Sequence, residues 1–356
     1  MPPEQVTIYD VARAAGVSIS TVSNALNRPD RVAAATLEQV LAVADSLGYV
    51  PKADAVSKAR QTMRRIGVLA PFSSYRSYLE RLAGVLVEAQ GAGVEVSAFD
   101  HESLATASSP VLASMPIRGQ VDGIIVMGMR IEDVIEKRLF DRLVPTVVVD
   151  AESARFPSVA CDDHSGGQLA ARYLFGLGHR SFGYVVEPQA SQYDSQALRR
   201  LSGFRDALSG SPECTVQVIE AGSSAQAARL ATRAMLDGPN RPTAIMAHYD
   251  DLAIGVLLAA KDAGITVPQE LSVMGCDDGP AAVACDLTTI RQPFRESGAV
   301  AMRLLLATIN ASEMSRSSVY LPLEVLERST TGLPQGRETG PNGSRHGEPR
   351  RASRSL

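Results

Sequence analysis

Residues Thr7 to Asn27 read TIYDVARAAGVSISTVSNALN, and the spacing within them decides the fold of the N-terminal part. Thr7 followed three residues later by Asp10 is a capping box, which predicts a helix starting at Ile8. Val11, Ala12 and Ala15 give that helix an apolar stripe, and Gly16 ends it where a residue without a Cβ turns the chain at no steric cost. Ser18 then caps a second helix with Val22, Ala25 and Leu26 inward. Ile19, Ser20, Thr21, Ser23, Asn24 and Asn27 are left outward. A solvated helix face usually carries charges, whereas small hydroxyl and amide side chains suit a surface that meets base edges and phosphates. The pattern is a helix-turn-helix, whose second helix enters the major groove with its first residues.

Working outward, Arg28 to Arg31 is a polar turn around Pro29. Thr36 and Gln39 form a second capping box, opening a third helix that packs through Val40, Leu41, Ala44 and Leu47. Gly48-Tyr49-Val50-Pro51 stops it, because a proline disfavours helical geometry in the residue before it. Lys52 to Arg65 is polar and basic. From Ile66 the texture changes to short apolar runs alternating with amphipathic helices. Ile66–Ala70, Val94–Phe99, Gly123–Met127 and Val144–Val149 read as one series of buried strands. Ser181–Val186, Thr215–Ile219, Ala244–Ala247 and Leu271–Gly275 read as a second. Helices fall between them at Tyr78–Gln90, Gly166–Leu177, Leu198–Leu208, Ala225–Leu236 and Asp251–Ala263. Alternation of this kind predicts an α/β fold in which a three-helix headpiece precedes a core of two doubly wound subdomains. Ligands in such a core bind at the carboxyl ends of the strands, in the cleft between the halves. The domain boundaries are set at 1–51 for the headpiece, 52–65 for a hinge, 66–331 for the core and 332–356 for a tail. From Thr330 onward the chain lacks apolar periodicity and is rich in Gly, Pro, Ser and Arg, the composition of a disordered segment.

The chain has 356 residues, 45% hydrophobic and 21% charged, with a net charge of -4. An acidic total argues against nucleic acid until it is divided by segment. Residues 1–65 carry eight Lys or Arg against six acids, and residues 332–356 five Arg against two Glu, so the intervening core holds the negative excess. The headpiece is only mildly basic, and paired headpieces on a homodimer become the expected source of DNA affinity. No apolar run approaches the roughly 20 residues of a membrane helix, and the first residues show no signal-peptide pattern, so a cytoplasmic protein is expected. Cys161, Cys214, Cys276 and Cys285 lack metal-ligand spacing and are too few for a disulfide framework. No metal or cofactor is expected. The sequence holds no G-x-S-x-G elbow, Walker loop, G-x-G-x-x-G or H-E-x-x-H, so no enzyme activity is expected either.

The opening stretch resembles the headpiece of the LacI family of bacterial transcription regulators, whose signature T-I-x-D-V-A-x-x-A-G-V-S-x-x-T-V-S is matched at every fixed letter. The family's L-G-Y-x-P junction is matched at Leu47 to Pro51. Core segments VPQELSVMGCDD (Val267–Asp278), LTTIRQP (Leu287–Pro293), PTAIMAHYDDLAIG (Pro242–Gly255) and RRLSGF (Arg199–Phe204) resemble the family's sensor core, which shares its fold with periplasmic sugar-binding proteins. The resemblance covers about residues 6–331 and implies a repressor that binds double-stranded operator DNA as a homodimer under control of a small polar effector, most often a sugar. It implies that Ile19, Ser20 and Asn24 face bases while Tyr9, Ser18, Thr21, Ser23 and Asn27 hold phosphates. The hinge departs from the family pattern, in which a leucine wedges into the minor groove. Lys58 stands at that position and no leucine occurs between Gly48 and Val68. Either Lys58 contacts phosphate, or Val56 supplies a smaller wedge, or the segment is a plain linker. That departure keeps open a second reading, a cytoplasmic small-molecule sensor with weak DNA binding.

For the effector, Asp250 ends a strand-like segment and Arg200 begins a helix, so both are expected at the mouth of the cleft, where a carboxylate and a guanidinium can hold neighbouring hydroxyls. The family's matching positions contact effector; the alternative is that the two pair with each other. Phe72, Tyr75, Tyr193 and Tyr249 are candidates to stack on a ring. Asp277 and Asp278 are expected to fix the loop after their strand.

Overall fold

The computed structural model describes residues 6–49, 64–101, 110–118, 121–188, 195–311 and 316–335. Val56, Lys58, Tyr193, most of the hinge and the tail beyond Gln335 lie outside the described residues.

Three helices open the chain: α1 (Ile8–Ala14), α2 (Ile19–Asn27) and α3 (Ala34–Ser46). The Asp10 carboxylate accepts from the Thr7 N–H at 2.9 Å and from its hydroxyl at 2.6 Å, which fixes the start of α1 as expected. Gly16 sits at φ +64°, in the left-handed region that favours glycine. The third helix corrects the sequence reading. A 3-10 turn over Pro29–Arg31 leads into Ala33, and α3 starts at Ala34, before the Thr36–Gln39 box could cap it. Three successive alanines, the strongest helix formers, start the helix without a side-chain cap. Gln39 is thereby freed to donate its amide to the carbonyl of Ala15, 2.9 Å away, a helix-end acceptor that α1 leaves unpaired. Val11, Val22, Ala25, Val40, Leu41 and Ala44 are completely buried between the helices.

The core begins with β1 (Arg65–Ala70), α4 (Arg76–Ala92), β2 (Glu95–Asp100), α5 (Pro110–Arg118), β3 (Gly123–Met127), α6 (Asp133–Asp141), β4 (Thr146–Val149) and β5 (Ser158–Cys161). It continues with α7 (Asp163–Gly176), β6 (Ser181–Val186), α8 (Gln196–Leu208), β7 (Thr215–Glu220), α9 (Ala225–Asp237), β8 (Ala244–Ala247), α10 (Asp250–Asp262), β9 (Ser272–Asp277), α11 (Pro280–Ala284) and β10 (Thr288–Arg291). Helix α12 (Phe294–Asn310), β11 (Ser318–Leu321) and β12 (Glu324–Leu326) complete it. The first sheet has the order β11-β5-β4-β3-β1-β2 and is parallel throughout. The second has the order β12-β10-β9-β8-β6-β7, parallel except where β12 runs against β10.

The two strand series are therefore two subdomains, as their periodicity implies, but the chain does not complete one and then the other. It crosses between β5 and α7, returns between β10 and α12, and crosses again between β11 and β12. Helix α12 packs on α4 and on β3, β4 and β5 of the first sheet, although it follows the strands of the second. The segment from Thr330 is also ordered further than its composition suggested. The Thr330 hydroxyl donates to the Val273 carbonyl at 2.7 Å, and the Gly332 carbonyl accepts from His179 Nε2 at 2.9 Å.

Candidate functional sites: an exposed recognition helix and a charged cleft

Helix α2 buries Val22, Ala25 and Leu26 and leaves Ile19, Ser20, Asn24 and Asn27 exposed, with Thr21 and Ser23 half-buried beside them. Tyr9, on the first turn of α1, is 62% exposed. The Ser18 oxygen accepts from the Thr21 N–H at 3.1 Å and lies 2.7 Å from Ser20 Oγ and 2.8 Å from Thr21 Oγ1. Ser18, Ser20 and Thr21 thus form one hydroxyl cluster at the N-terminal end of α2, where helix N–H groups favour an anion. Asn27 Nδ2 reaches Ser23 Oγ at 3.4 Å. Seven of the eight headpiece candidates stand on α2 or its cap, and they carry donors and acceptors without a formal charge.

The cleft departs from expectation in what Arg200 and Asp250 touch. Arg200, on the second turn of α8, is 3% exposed; its Nη2 donates to Asp163 Oδ1 at 2.5 Å, and its Nη1 to the His248 carbonyl and, at 3.0 Å, to His248 Nδ1. Asp250 instead accepts from the Thr289 hydroxyl at 2.6 Å and from the Gly279 N–H at 2.8 Å. These two candidates neither pair with each other nor share partners: Arg200 ties α8 to α7 and to the loop after β8, whereas Asp250 ties α10 to β10 and to the loop before α11. An aspartate that opens a helix after a strand can tie neighbouring elements as readily as face a ligand, and sequence does not separate the two.

The group that accompanies Arg200 was missed. Arg81 on α4, 3% exposed, pairs with Asp150 at the end of β4, and its guanidinium lies 4.3 Å from the Phe294 ring centroid and 5.1 Å from that of Tyr78. Asp163, Asp277 and Cys161 lie within electrostatic range of this pair or of Arg200. Asp277, at φ +121°, accepts from Gln292 Nε2 at 2.8 Å. Asp278 is held by Arg291 at 2.8 Å and Arg328 at 2.5 Å, a loop-fixing arrangement. The cleft thus brings one guanidinium from each subdomain together with three carboxylates. Among the described residues, neither Arg81 Nε nor Arg200 Nε, both buried, has an acceptor.

Burial dominates the protonation of these groups. Desolvation raises Asp150 and Asp163 against the pull of Arg81 and Arg200 respectively. It also raises Asp277 and Asp250, and pushes Cys161 up to about 12, so the thiol stays protonated. His248 is driven well below its ordinary value by burial and then by Arg200, so it stays neutral and can accept at Nδ1.

Just before α10, Tyr249 donates its hydroxyl to Glu187 at 2.9 Å, and Tyr75 from the first subdomain lies within electrostatic range of the same carboxylate. Phe72 and Tyr75 are half-buried against the first subdomain's apolar core. The structure therefore brings Tyr75 and Tyr249 together around Glu187, which follows β6. Among the described residues no group of three or more His, Cys, Asp or Glu side chains is placed to hold a metal ion, and no helix is long and apolar enough to cross a membrane.

Comparison with known proteins matches this architecture. Residues 7–52 match the family model for bacterial regulatory proteins of the lacI family, and residues 171–331 match that for a periplasmic binding protein-like domain. The HTH-type transcriptional repressor CytR of Escherichia coli K12 is 32% identical over 349 residues, covering 92% of this chain and 97% of the relative. The lac repressor dimer bound to operator and the anti-inducer ONPF superposes with a TM-score of 0.67 at 26% identity, covering 92% of this chain and 100% of that one. A LacI family regulator from Enterococcus faecium with bound ribose has a TM-score of 0.67 at 26% identity, covering 76% of this chain and 100% of that one.

Proposed function

The chain belongs to the lacI family of bacterial regulatory proteins, and from that premise we propose how its parts divide the work of an effector-controlled repressor. Residues 1–51 read DNA, 52–65 link, 66–331 bind effector and dimerise, and 332–356 form a basic tail. Ile19, Ser20 and Asn24 read base edges in the major groove, and Tyr9, Ser18, Thr21, Ser23 and Asn27 hold phosphates on either side. Two headpieces on a homodimer dock in successive major grooves of a near-palindromic operator. The observation that carries this reading is the exposed, uncharged donor and acceptor face of α2.

The effector site comprises Arg200 and Arg81 with Asp150, Asp163 and Asp277 at the floor, and Phe72, Tyr75 and Tyr249 at the mouth. Guanidiniums already neutralised by carboxylates favour a neutral ligand that both donates and accepts, and a sugar has that chemistry. The ribose bound by the Enterococcus regulator supports the same class. A ligand that binds the open and closed cleft with different affinities shifts the closure and hence DNA affinity. The cleft serves binding without turnover, and the protein works in the cytoplasm.

Selection of bound sequences from a random DNA pool by the full-length protein, repeated across a salt series, tests the first half. A two-fold symmetric site is the expected result; uniform, steeply salt-sensitive binding without a motif would move the chain to the sensor reading. Thermal shift against a panel of neutral sugars beginning with D-ribose tests the second half. Stabilisation that Arg200→Ala abolishes is expected, and an equal response in that variant would remove Arg200 from the site.

A further inference from the structure

Helix α3 carries two acids. Glu38 and Asp45 lie two turns apart on one face of the helix, and negative charge on a phosphate-binding module opposes its task. Both are used against the protein's own core. Arg138 on α6, 7% exposed, donates from Nε to Asp45 Oδ2 at 2.5 Å and from Nη2 to Glu38 Oε1 at 3.0 Å. Arg142 donates from Nε to the other Asp45 oxygen at 2.7 Å and from Nη2 to the Ala44 carbonyl at 3.3 Å, in the last turn of α3, where a cation also suits the helix dipole. Beneath these pairs, Leu26, Leu37, Leu41 and Tyr49 of the headpiece belong to one contiguous apolar cluster with Leu112, Met115, Ile135 and Leu139 of the first subdomain. Helix α2, the 3-10 turn and α3 all lie against α5. The seam leaves the reading face open, since Tyr9, Ile19, Ser20, Asn24 and Asn27 remain exposed.

We propose that this seam is a docking interface between the headpiece and its own core, which pre-orders the recognition helix for DNA and carries motion of the first subdomain to it by direct contact, in addition to the covalent linker. A docked headpiece has already lost the freedom that a tethered one gives up on binding, so its release weakens operator affinity. The proposal rests on the DNA-reading assignment above, and binding of the selected duplex by the parent protein tests that assignment separately.

The decisive variant is Glu38→Gln with Asp45→Asn in the full-length chain. It makes the headpiece more positive, so phosphate attraction alone predicts tighter binding and a steeper salt dependence. Loss of the seam predicts the opposite sign, a several-fold weaker affinity for the duplex selected by the parent. Hydrogen–deuterium exchange without DNA reads the seam directly: residues 34–46 and 110–118, on its two sides, should lose protection together, while residues 272–277 in the second sheet stay protected. Exchanging all four charges (Glu38→Arg, Asp45→Arg, Arg138→Glu, Arg142→Glu) should restore protection on both sides. Unchanged exchange at 34–46 and 110–118 in the neutralised variant would overturn the interface. Faster exchange with equal or tighter operator binding would overturn its role in pre-ordering the headpiece.

Discussion

Gly167→Ala is the most direct test of how the second subdomain holds Arg200. Gly167 lies on α7 where that helix crosses α8, and a Cβ built there would stand 1.9 Å from the Arg200 carbonyl oxygen and 2.7 Å from the Phe204 nitrogen. Real Cβ atoms essentially never approach closer than 3.0 Å, so α8 must retreat by about 1.1 Å. The obstacle is helix backbone, which cannot swing aside as a side chain would. Because Asp163 is on α7 and Arg200 on α8, the same retreat separates the backbones that carry their 2.5 Å hydrogen bond and weakens it. Overpacking of this kind costs about 1–3 kcal/mol and occasionally more, and the weakened buried pair adds to it. At about 2–4 °C per kcal/mol for a domain of this size, calorimetry should show the melting temperature of the core lowered by several degrees. Gly176→Ala, at the other end of α7 with nothing within 4 Å of its would-be Cβ, is the matched control. That change should be neutral or stabilising by up to about 1 kcal/mol. If Gly167→Ala melts with the parent, the helices do not cross as closely as described, and the account of how Arg200 is positioned fails.

Three further outcomes follow. Asn24→Ala should change the sequence recovered in the DNA selection; uniformly weaker binding to all sequences would make Asn24 a phosphate contact instead. Arg200→Ala leaves Asp163 as an unpaired buried carboxylate and should cost about 3–5 kcal/mol in denaturant unfolding. Adding Asp163→Ala should recover much of that loss, and strict additivity of the two changes would show that the pair is not coupled. Asp250, raised to about 8 mainly by burial, binds its proton more tightly in the folded than in the unfolded chain. Its contribution to stability is therefore full below about pH 4 and is lost as pH rises through about 8. The parent should melt lower at pH 8 than at pH 5, and Asp250→Asn should shrink that difference; an unchanged difference would assign the pH dependence to other groups.

The legible parts of the chain were those whose cause is local. The Thr7–Asp10 box, the Gly16 turn, the Ser18 cap and the Val22, Ala25, Leu26 face are all set within one or two turns of helix, and each stands as read. The start of α3 failed because two readings competed locally and alanine propensity outweighed a capping pattern. The surroundings of Arg200 are illegible for a different reason. Arg81 is an arginine in the second turn of an ordinary amphipathic helix, and nothing within α4 says that Asp150 and Phe294 will meet it. Those residues lie on β4's end and at the start of α12, and α12 joins the first sheet only because the chain returns after β10. Contacts made by a crossover leave no periodicity to read. Glu38 and Asp45 were visible as acids, but their partners on and beside α6 are set by the docking of the headpiece and not by any local pattern.

The crossovers also account for why the two arginines behave alike. Leu79-x-Arg81-Leu82-x-Gly84 on α4 has the spacing of Leu198-x-Arg200-Leu201-x-Gly203 on α8. In each, the glycine one turn after the arginine lets a neighbouring helix approach to backbone contact: a Cβ on Gly84 would meet the Arg295 carbonyl, and one on Gly203 the His164 carbonyl, both at 1.9 Å. The neighbours reciprocate, with Gly298 against the Arg81 carbonyl and Gly167 against the Arg200 carbonyl, again at 1.9 Å. Those neighbours are α12 and α7, the helices that begin as the chain enters from the other subdomain. Their first residues, Phe294 and Asp163, occupy equivalent places, and each holds its arginine, one by its ring and the other by its carboxylate. A change in closure would bend the crossover segments, Asp162 before α7 and Gln292 and Pro293 before α12. Through these close crossings the bend reaches the backbone of both arginine-bearing helices. A ligand bridging the two guanidiniums would thus be sensed by the same elements that set the angle between the subdomains.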